Sequence, residues 1–261
     1  MEDWSGDPAH RQTTATVRCE WGLRGAEAIT VGADIAVVVD VLSFTTTLSV
    51  ALDAGMTVLP YRWRDDTART WARDHAARLA IGRAEQEPGQ ISLSPGSIRR
   101  AGTVRGERLV LPSPNGSAIS FALATRVPVV IGASLRNASA VVAWLTATNP
   151  THEATIAVIP AGERWDDGSL RPAIEDLWGA GAVIAGLQAA GWTSLSPEAE
   201  VAADAFAAVR DRLPACLRTC ASGRELIERG FGEDVAIATE MDSSNAVPLL
   251  QGVAYIDASA A

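Results

Sequence analysis

The run Ala36-Val37-Val38-Val39-Asp40, continued by Val41-Leu42-Ser43-Phe44-Thr45-Thr46-Thr47, constrains this chain more than any other segment. Four apolar residues lead directly into a carboxylate, and Leu48-Ser49-Val50-Ala51-Leu52 then reads as a helix. An apolar run without alternation fits a strand buried on both faces, as in a parallel sheet. Asp40 then stands at or near the carboxyl end of that strand, where open α/β sheets place their ligands. Thr45, Thr46 and Thr47 fall where a helix begins, with hydroxyls and free backbone N–H groups on offer to an anion. A carboxylate suited to a metal, beside an anion-binding turn, points to phosphate chemistry.

The rest of the chain repeats the strand-then-helix pattern. Strands are expected over Thr14–Glu20, Asp34–Asp40, Met56–Pro60, Glu107–Leu111, Val127–Ile131 and Ala154–Pro160. Helices are expected from Thr46 and over Asp65–Leu79, Ser117–Thr125 and Arg136–Thr146, with Asp65 or Asp66 as a cap. From Ala173 the pattern becomes helical: Ala173–Ala190, Pro197–Leu213, Leu217–Arg229 and Glu233–Met241, with a short returning strand in Val247–Ile256. Gly82–Gly102 and Ala161–Pro172 read as loops, and the first residues, 1–12, as a loose leader to one domain spanning 1–261. Alternating strands and helices predict an α/β fold, with a mostly parallel or mixed sheet covered on both faces and a helix-rich C-terminal part.

Composition narrows the chemistry. The net charge of −9 argues against a nucleic-acid surface, which needs a basic face. All 22 basic residues are arginine, so neither a Walker A loop nor a Schiff-base lysine is available. Arginine is left as the cation for a phosphate or sulfonate, which its fork binds bidentately. The odd cysteine count, Cys19, Cys216 and Cys220, suggests a reducing compartment. Cys216 and Cys220 read as buried or half-exposed thiols, and His10, His75 and His152 show no ligand spacing. No apolar run reaches the ~18 residues of a membrane span, and the N-terminus lacks a signal pattern; a cytoplasmic enzyme is expected.

Four further segments carry candidate chemistry. Pro112-Ser113-Pro114-Asn115-Gly116-Ser117 is again strand, turn and helix start. It is either an ordinary βα turn or a second anion site built from Asn115, Gly116 and Ser117. Pro160–Asp176 is rich in arginine and acid, and ends with Glu175 and Asp176 in the first turn of a helix. There they either complement the helix dipole or supply a magnesium ligand, with Asp176 favoured. Leu93-Ser94-Pro95-Gly96-Ser97 is a solvated loop or part of the site. Asp234 and Asp242, eight apart, read as a solvated helix face. Gly179 and Gly181 lie inside a helix without a third glycine at Ile184, so close helix packing explains them better than a dinucleotide fingerprint. Other phosphatase signatures fail: an Asp-x-Asp pattern would need an acid at Leu42, a Cys-x5-Arg loop needs an arginine at Gly25, and no Gly-x-Ser-x-Gly elbow exists.

Taken together, Val38–Leu42 with Thr45–Thr47, Pro114–Ser117, Gly132–Ala138, Pro160–Glu163, Glu175–Ala182, Asp234–Ala236 and Val247-Pro248 resemble the 2-phosphosulfolactate phosphatase family, collinearly over roughly residues 15 to 250. The resemblance implies a three-layer α/β/α fold and a magnesium-dependent phosphomonoester hydrolase on the route to coenzyme M. It implies Asp40, Asp176 and Glu175 as catalytic groups, with Asp40 and Asp176 on Mg²⁺. Thr45, Thr46, Thr47, Asn115, Gly116, Ser117, Arg136 and Arg164 would bind a small anionic phosphorylated substrate. Ser43 or Phe44 stands where the family carries an arginine, and Arg83, Arg99, Arg136 and Arg164 are the candidates to replace it. That departure, with Gly82-Arg83-Ala84 in place of Gly-Glu-Arg, keeps open an alternative: a relative that binds an anionic metabolite without turnover. A homodimer is the default expectation.

Overall fold

The apolar run forms the strand Ile35–Val39, buried along its whole length. In chain order the strands are β1 (Val17–Cys19), β2 (Ile35–Val39), β3 (Thr57–Tyr61), β4 (Arg78–Leu79), β5 (Arg108–Pro112), β6 (Val129–Ala133), β7 (Ile156–Pro160), β8 (Glu163–Arg164), β9 (Leu170–Arg171), β10 (Pro248–Gln251) and β11 (Ala254–Asp257). The helices are α1 (Gly22–Ile29), α2 (Phe44–Asp53), α3 (Asp66–Asp74), α4 (Pro95–Ala101), α5 (Gly116–Leu123), α6 (Ala138–Thr148), α7 (Ile174–Ala189), α8 (Pro197–Ala207), α9 (Leu213–Thr219), α10 (Ala221–Glu228) and α11 (Gly232–Ala238). This computed structural model describes residues 7–62, 65–85, 89–102 and 105–259.

Nine strands form one mixed sheet in the order β1-β7-β2-β6-β10-β11-β3-β5-β4. The pairs β1/β7, β7/β2, β2/β6, β3/β5 and β5/β4 are parallel. Ile35, Val37 and Val39 pack into one apolar cluster with α6, α7 and α8, while Ala36 and Val38 pack into another with α1 and α5. Side chains alternate across a strand, so a strand apolar at every position requires cover on both sides. The three-layer α/β/α architecture follows from that requirement.

Several boundaries differ from the sequence reading. Val247–Ile256 is not one strand but the hairpin β10–β11, inserted antiparallel between β6 and β3 at the centre of the sheet. Gly252, with φ +59°, makes its tight turn, a backbone shape that favours glycine. The helix from Asp65 stops at Asp74, and Arg78–Leu79 leaves it to pair with β5. Asp65 is its cap, accepting from the N–H of Thr67. The loop Gly82–Gly102 contains α4, capped by Ser94, and Ala161–Pro172 contains the hairpin β8–β9. The segment Leu217–Arg229 breaks at Cys220, whose Sγ accepts from the N–H of Gly223 and caps α10. Helix α1, Gly22–Ile29, is amphipathic, with Gly22, Gly25, Ala26 and Ile29 buried, but is not among the helices expected from the sequence. Of the leader, residues 1–6 lie outside the described residues; Pro8–Arg11 form a 3-10 turn, and the Gln12 side chain pairs with the backbone of Cys19.

The two helix glycines act in packing. A Cβ on Gly179 would stand 2.6 Å from Val41 Cγ2 and 2.7 Å from Val39 Cγ1. One on Gly181 would meet the Ala202 carbonyl at 2.0 Å. Their absence lets α7 press onto β2 and α8, which fixes its first turn, with Glu175 and Asp176, behind the end of β2. Among the described residues no helix is long and apolar enough to cross a membrane.

Candidate active site

Asp40 follows the last residue of β2 and is 5% exposed. Its Oδ1 accepts the N–H of Phe44 at 3.0 Å and its Oδ2 accepts the N–H of Gly116 at 2.9 Å. The turns after β2 and after β5 therefore meet on one carboxylate, although four strands separate β2 from β5 in the sheet. Gly116 is required by this approach: a Cβ there would lie 2.7 Å from Asp40 Oδ2 and 2.7 Å from Phe44 Cδ1.

Asp176 stands behind Asp40. Its Oδ1 accepts the N–H of Val41 at 2.7 Å and its Oδ2 accepts the N–H of Gly162 at 2.9 Å. It clasps the backbone beyond β2 to the backbone beyond β7, and it is buried with Glu175 beneath the cleft rather than on its wall. Burial pushes the Asp40 and Asp176 carboxyls up, and neighbouring carboxylates push further: Glu175 on Asp40, and Asp40 and Glu175 on Asp176. The two N–H donors and Arg83 oppose the rise at Asp40.

The cleft itself has a volume of about 450 Å³. Asp40, Ser43, Arg83, Asn115, Glu163 and Arg164 line it together with Arg171 of β9 and with Ser222 and Arg229 from α10 and its end. Glu163 Oε2 accepts from Asn115 Nδ2 at 2.8 Å. Burial, and then the Asp40 charge, raise its carboxyl to about 7. Arg83 donates to the Ser43 hydroxyl, its Nε lies 3.3 Å from Asp234 Oδ2, and its guanidinium covers Phe231. An arginine thus reaches the place where Ser43 offers none. Arg164 crosses the rim, with Nε donating to Asn115 Oδ1 at 3.3 Å and Nη2 donating to the Pro114 carbonyl at 2.9 Å.

The remaining residues singled out from sequence sit elsewhere. The Thr45 hydroxyl donates to the Asp40 carbonyl at 2.7 Å and accepts the Asp40 N–H, and the Thr46 hydroxyl donates to the Val41 carbonyl at 2.7 Å. Thr45 and Thr46 thus face inward and brace the strand-to-helix turn, and Thr47 is also fully buried. Ser117 is also buried, donating to the Leu111 carbonyl at 3.0 Å and accepting the Tyr61 N–H at 2.7 Å. Short hydroxyls beside a turn find backbone partners first.

Arg136 is 2% exposed and away from the cleft, held by Ser49, Asp53 and Glu240; Arg99 pairs with the same Glu240. Asp234 is not on a solvated face: it is buried and accepts from the Ser94 hydroxyl at 2.5 Å. Asp242 lies beyond α11 and accepts the N–H of Ser139 at 2.9 Å. The cysteines are free, with Cys19 and Cys220 buried and Cys216 half-buried.

Sequence reasoning assigned no role to Glu163, Arg171, Ser222 or Arg229. Glu163 carried a signal, an acid three residues past the end of an apolar strand. The other three carried none, because a hairpin partner and a helix from the C-terminal layer bring them in.

The carboxylates and arginines of this cleft lie within a region shared with known proteins. The profile of the 2-phosphosulpholactate phosphatase family matches residues 26–252. A protein of Parasynechococcus marenigrum described as a probable 2-phosphosulfolactate phosphatase is 32% identical over 235 residues, 86% of this chain and 92% of that protein. Another of that description, from Thermus thermophilus, is 31% identical over 221 residues, 84% of this chain and 89% of its own length. The family match spans every element that builds the cleft, and the chain belongs to the 2-phosphosulpholactate phosphatase family.

Proposed function

We propose that the chain is a magnesium-dependent phosphomonoester hydrolase acting on 2-phosphosulfolactate or a closely related 2-phospho acid. The observation that carries the reading is the juxtaposition, in one cleft, of a buried strand-end carboxylate, Asp40, with the arginines Arg83 and Arg171 that also line it. Relatives described as probable 2-phosphosulfolactate phosphatases supply the reaction.

The donor set suits the ion. Asp40, Glu163, Glu175 and Asp176 are hard oxygen donors, their charges raise the Asp40, Glu163 and Asp176 carboxyls, and a divalent cation would relieve that repulsion. Among the described residues no three acidic, histidine or cysteine side chains form a ready cage. Mg²⁺ keeps several waters and takes one or two carboxylates plus substrate oxygens, so the proposal rests on Asp40 and the acids around it rather than on a preformed cage. Asp40 would hold it, and Asp176 would act with it, as ligand or by fixing the adjoining Val41 backbone. When bound, the ion supplies charge neutralisation at the phosphoryl oxygens.

The chain's own groups do the rest. Arg83 binds phosphoryl oxygens, held in place by Asp234 and Ser43. Asn115 fixes the Glu163 carboxylate through Oε2, which leaves Oε1 to orient water toward the phosphorus. Water oxygen bonds to phosphorus as the ester P–O bond breaks; one water proton passes to Glu163 and on to the departing alkoxide, and the other stays on the inorganic phosphate.

Phosphate release from 2-phosphosulfolactate, with and without Mg²⁺, tests the reading. Asp40→Asn is expected to lower kcat/KM at least a hundredfold; equal rates in the two proteins refute it. A second reading, anion binding without turnover, draws support from Asp40, whose oxygens each already accept a backbone N–H. Calorimetric binding of the ester with no phosphate released selects that alternative.

A further inference from the structure

The hairpin β8–β9 sets Glu163 directly opposite Arg171. Directly paired residues project to the same face, and both side chains line the cleft. Leu170, one position earlier, lines a separate cavity beside Trp21 and Ile119.

Arg171 differs from the other arginines of the cleft in how its charge is met. Arg83 is paired with Asp234, and Arg229 with Glu225 at 3.0 Å. Arg164 is exposed, with its donors on Asn115 and Pro114. Arg171 is half-buried, and among the described residues it makes no ion pair. Its Nη2 donates to the Ser222 hydroxyl at 3.1 Å, and its guanidinium lies 5.7 Å from the centre of the Trp165 ring. Ser222, 4% exposed in the first turn of α10, accepts that bond and keeps its own O–H to donate. This half-buried guanidinium is gripped by a neutral hydroxyl and an aromatic ring and feels the Glu163 carboxylate only beyond ion-pair distance, so it is oriented and keeps N–H donors for an anion. Arg171 is held from α10 by Ser222, and Arg83 is held by Ser43 and Asp234, so the cleft has two separately held cationic poles, at Arg83 and at Arg171.

We propose that Arg171 and the Ser222 hydroxyl form a second anion subsite, which binds the sulfonate of a phosphomonoester whose phosphate lies at the Arg83 pole. The inference rests on the phosphatase reading for what occupies the first pole. Arg171 then sets specificity: it rewards a second anionic group and leaves a mono-anionic tail unrewarded.

The test compares 2-phosphosulfolactate with 2-phospholactate, which lacks the sulfonate, in the wild type and in Arg171→Gln, Arg171→Lys and Ser222→Ala. The preference for the sulfonated ester, as a ratio of kcat/KM values, is expected to fall at least tenfold in Arg171→Gln, chiefly through KM. It is expected to fall by less in Ser222→Ala, and to recover in part in Arg171→Lys. Calorimetry with 3-sulfolactate reads the subsite without turnover, and Arg171→Gln is expected to weaken its binding at least tenfold. An unchanged preference and unchanged sulfolactate affinity in Arg171→Gln overturn the subsite while leaving the phosphatase reading intact. Arginine-dependent sulfolactate binding without hydrolysis of either ester overturns the phosphatase reading and supports the subsite. Neither hydrolysis nor binding in the wild type overturns both.

Discussion

Adding one methyl group at Gly116 tests the junction on which the site depends. Gly116 opens α5 and donates its N–H to Asp40 Oδ2 at 2.9 Å. An alanine Cβ there would stand 2.7 Å from that oxygen, 2.7 Å from Phe44 Cδ1 and 2.8 Å from Asp40 Cβ. Neither neighbour is a flexible chain end: Phe44 is fully buried and Asp40 is fixed by two backbone donors. The turn must withdraw, which lengthens the hydrogen bond to a charged acceptor. Overpacking costs about 1–3 kcal/mol and the lost charge-assisted bond about 1.5–3 kcal/mol. Reduced freedom of the unfolded chain returns roughly 0.4–1 kcal/mol. Gly116→Ala is therefore expected to lose about 2–5 kcal/mol, read as a lower urea midpoint at unchanged m-value. Gly232→Ala, at the start of α11 with its nearest neighbour at 3.8 Å, is the control and should stay within about 0.5 kcal/mol of wild type. If Gly116→Ala is as stable as that control, the turns after β2 and β5 are not locked together, and the close-approach argument fails.

Three other outcomes follow. Asp176→Ala leaves the N–H groups of Val41 and Gly162 without acceptors and should cost about 2–6 kcal/mol in urea unfolding, at about 1–3 kcal/mol per buried donor; unchanged stability with lost Mg²⁺ affinity would make Asp176 a ligand and not a clasp. Burial holds the Glu163 carboxyl near 7 against 4.5 unfolded, so the native state binds more protons between those values. Stability of the metal-free protein should then fall as pH rises from about 4.5 through 7, and Glu163→Gln should flatten the slope; a rise across that window contradicts the assignment. Asp234→Asn and Arg83→Gln should each destabilise, with a double variant less affected than the sum by about 1 kcal/mol or more, since each single change strands its buried partner; additive losses would show that the pair does not act as a unit.

How far the sequence reached depended on the range of the information. Residues Ile35–Val39 declared a strand covered on both sides because apolar continuity is a local property. The same local logic placed Asp40 at the strand end, located the Asn115-Gly116 turn, and marked Gly179 and Gly181 as packing glycines. Local reasoning failed where one backbone pattern has two outcomes. The ten residues of Val247–Ile256 read as one strand but fold back as a hairpin in the middle of the sheet. The seven-residue helix α4 offers too few turns for a clear period.

The fold class, the strand-end carboxylate, the reliance on arginine and the family motifs were all fixed by the order of residues along the chain. What each polar group touches was decided by the tertiary structure. The threonines after Asp40 found backbone acceptors five residues away and turned inward. Asp176 met Val41 across 135 residues, and Arg83 met Ser43 across 40. Hydrogen bonds and charge pairs act over a few ångströms, so only the packed chain, by bringing distant segments within that range, determines which carboxylate is clasped and which guanidinium is left open to an anion.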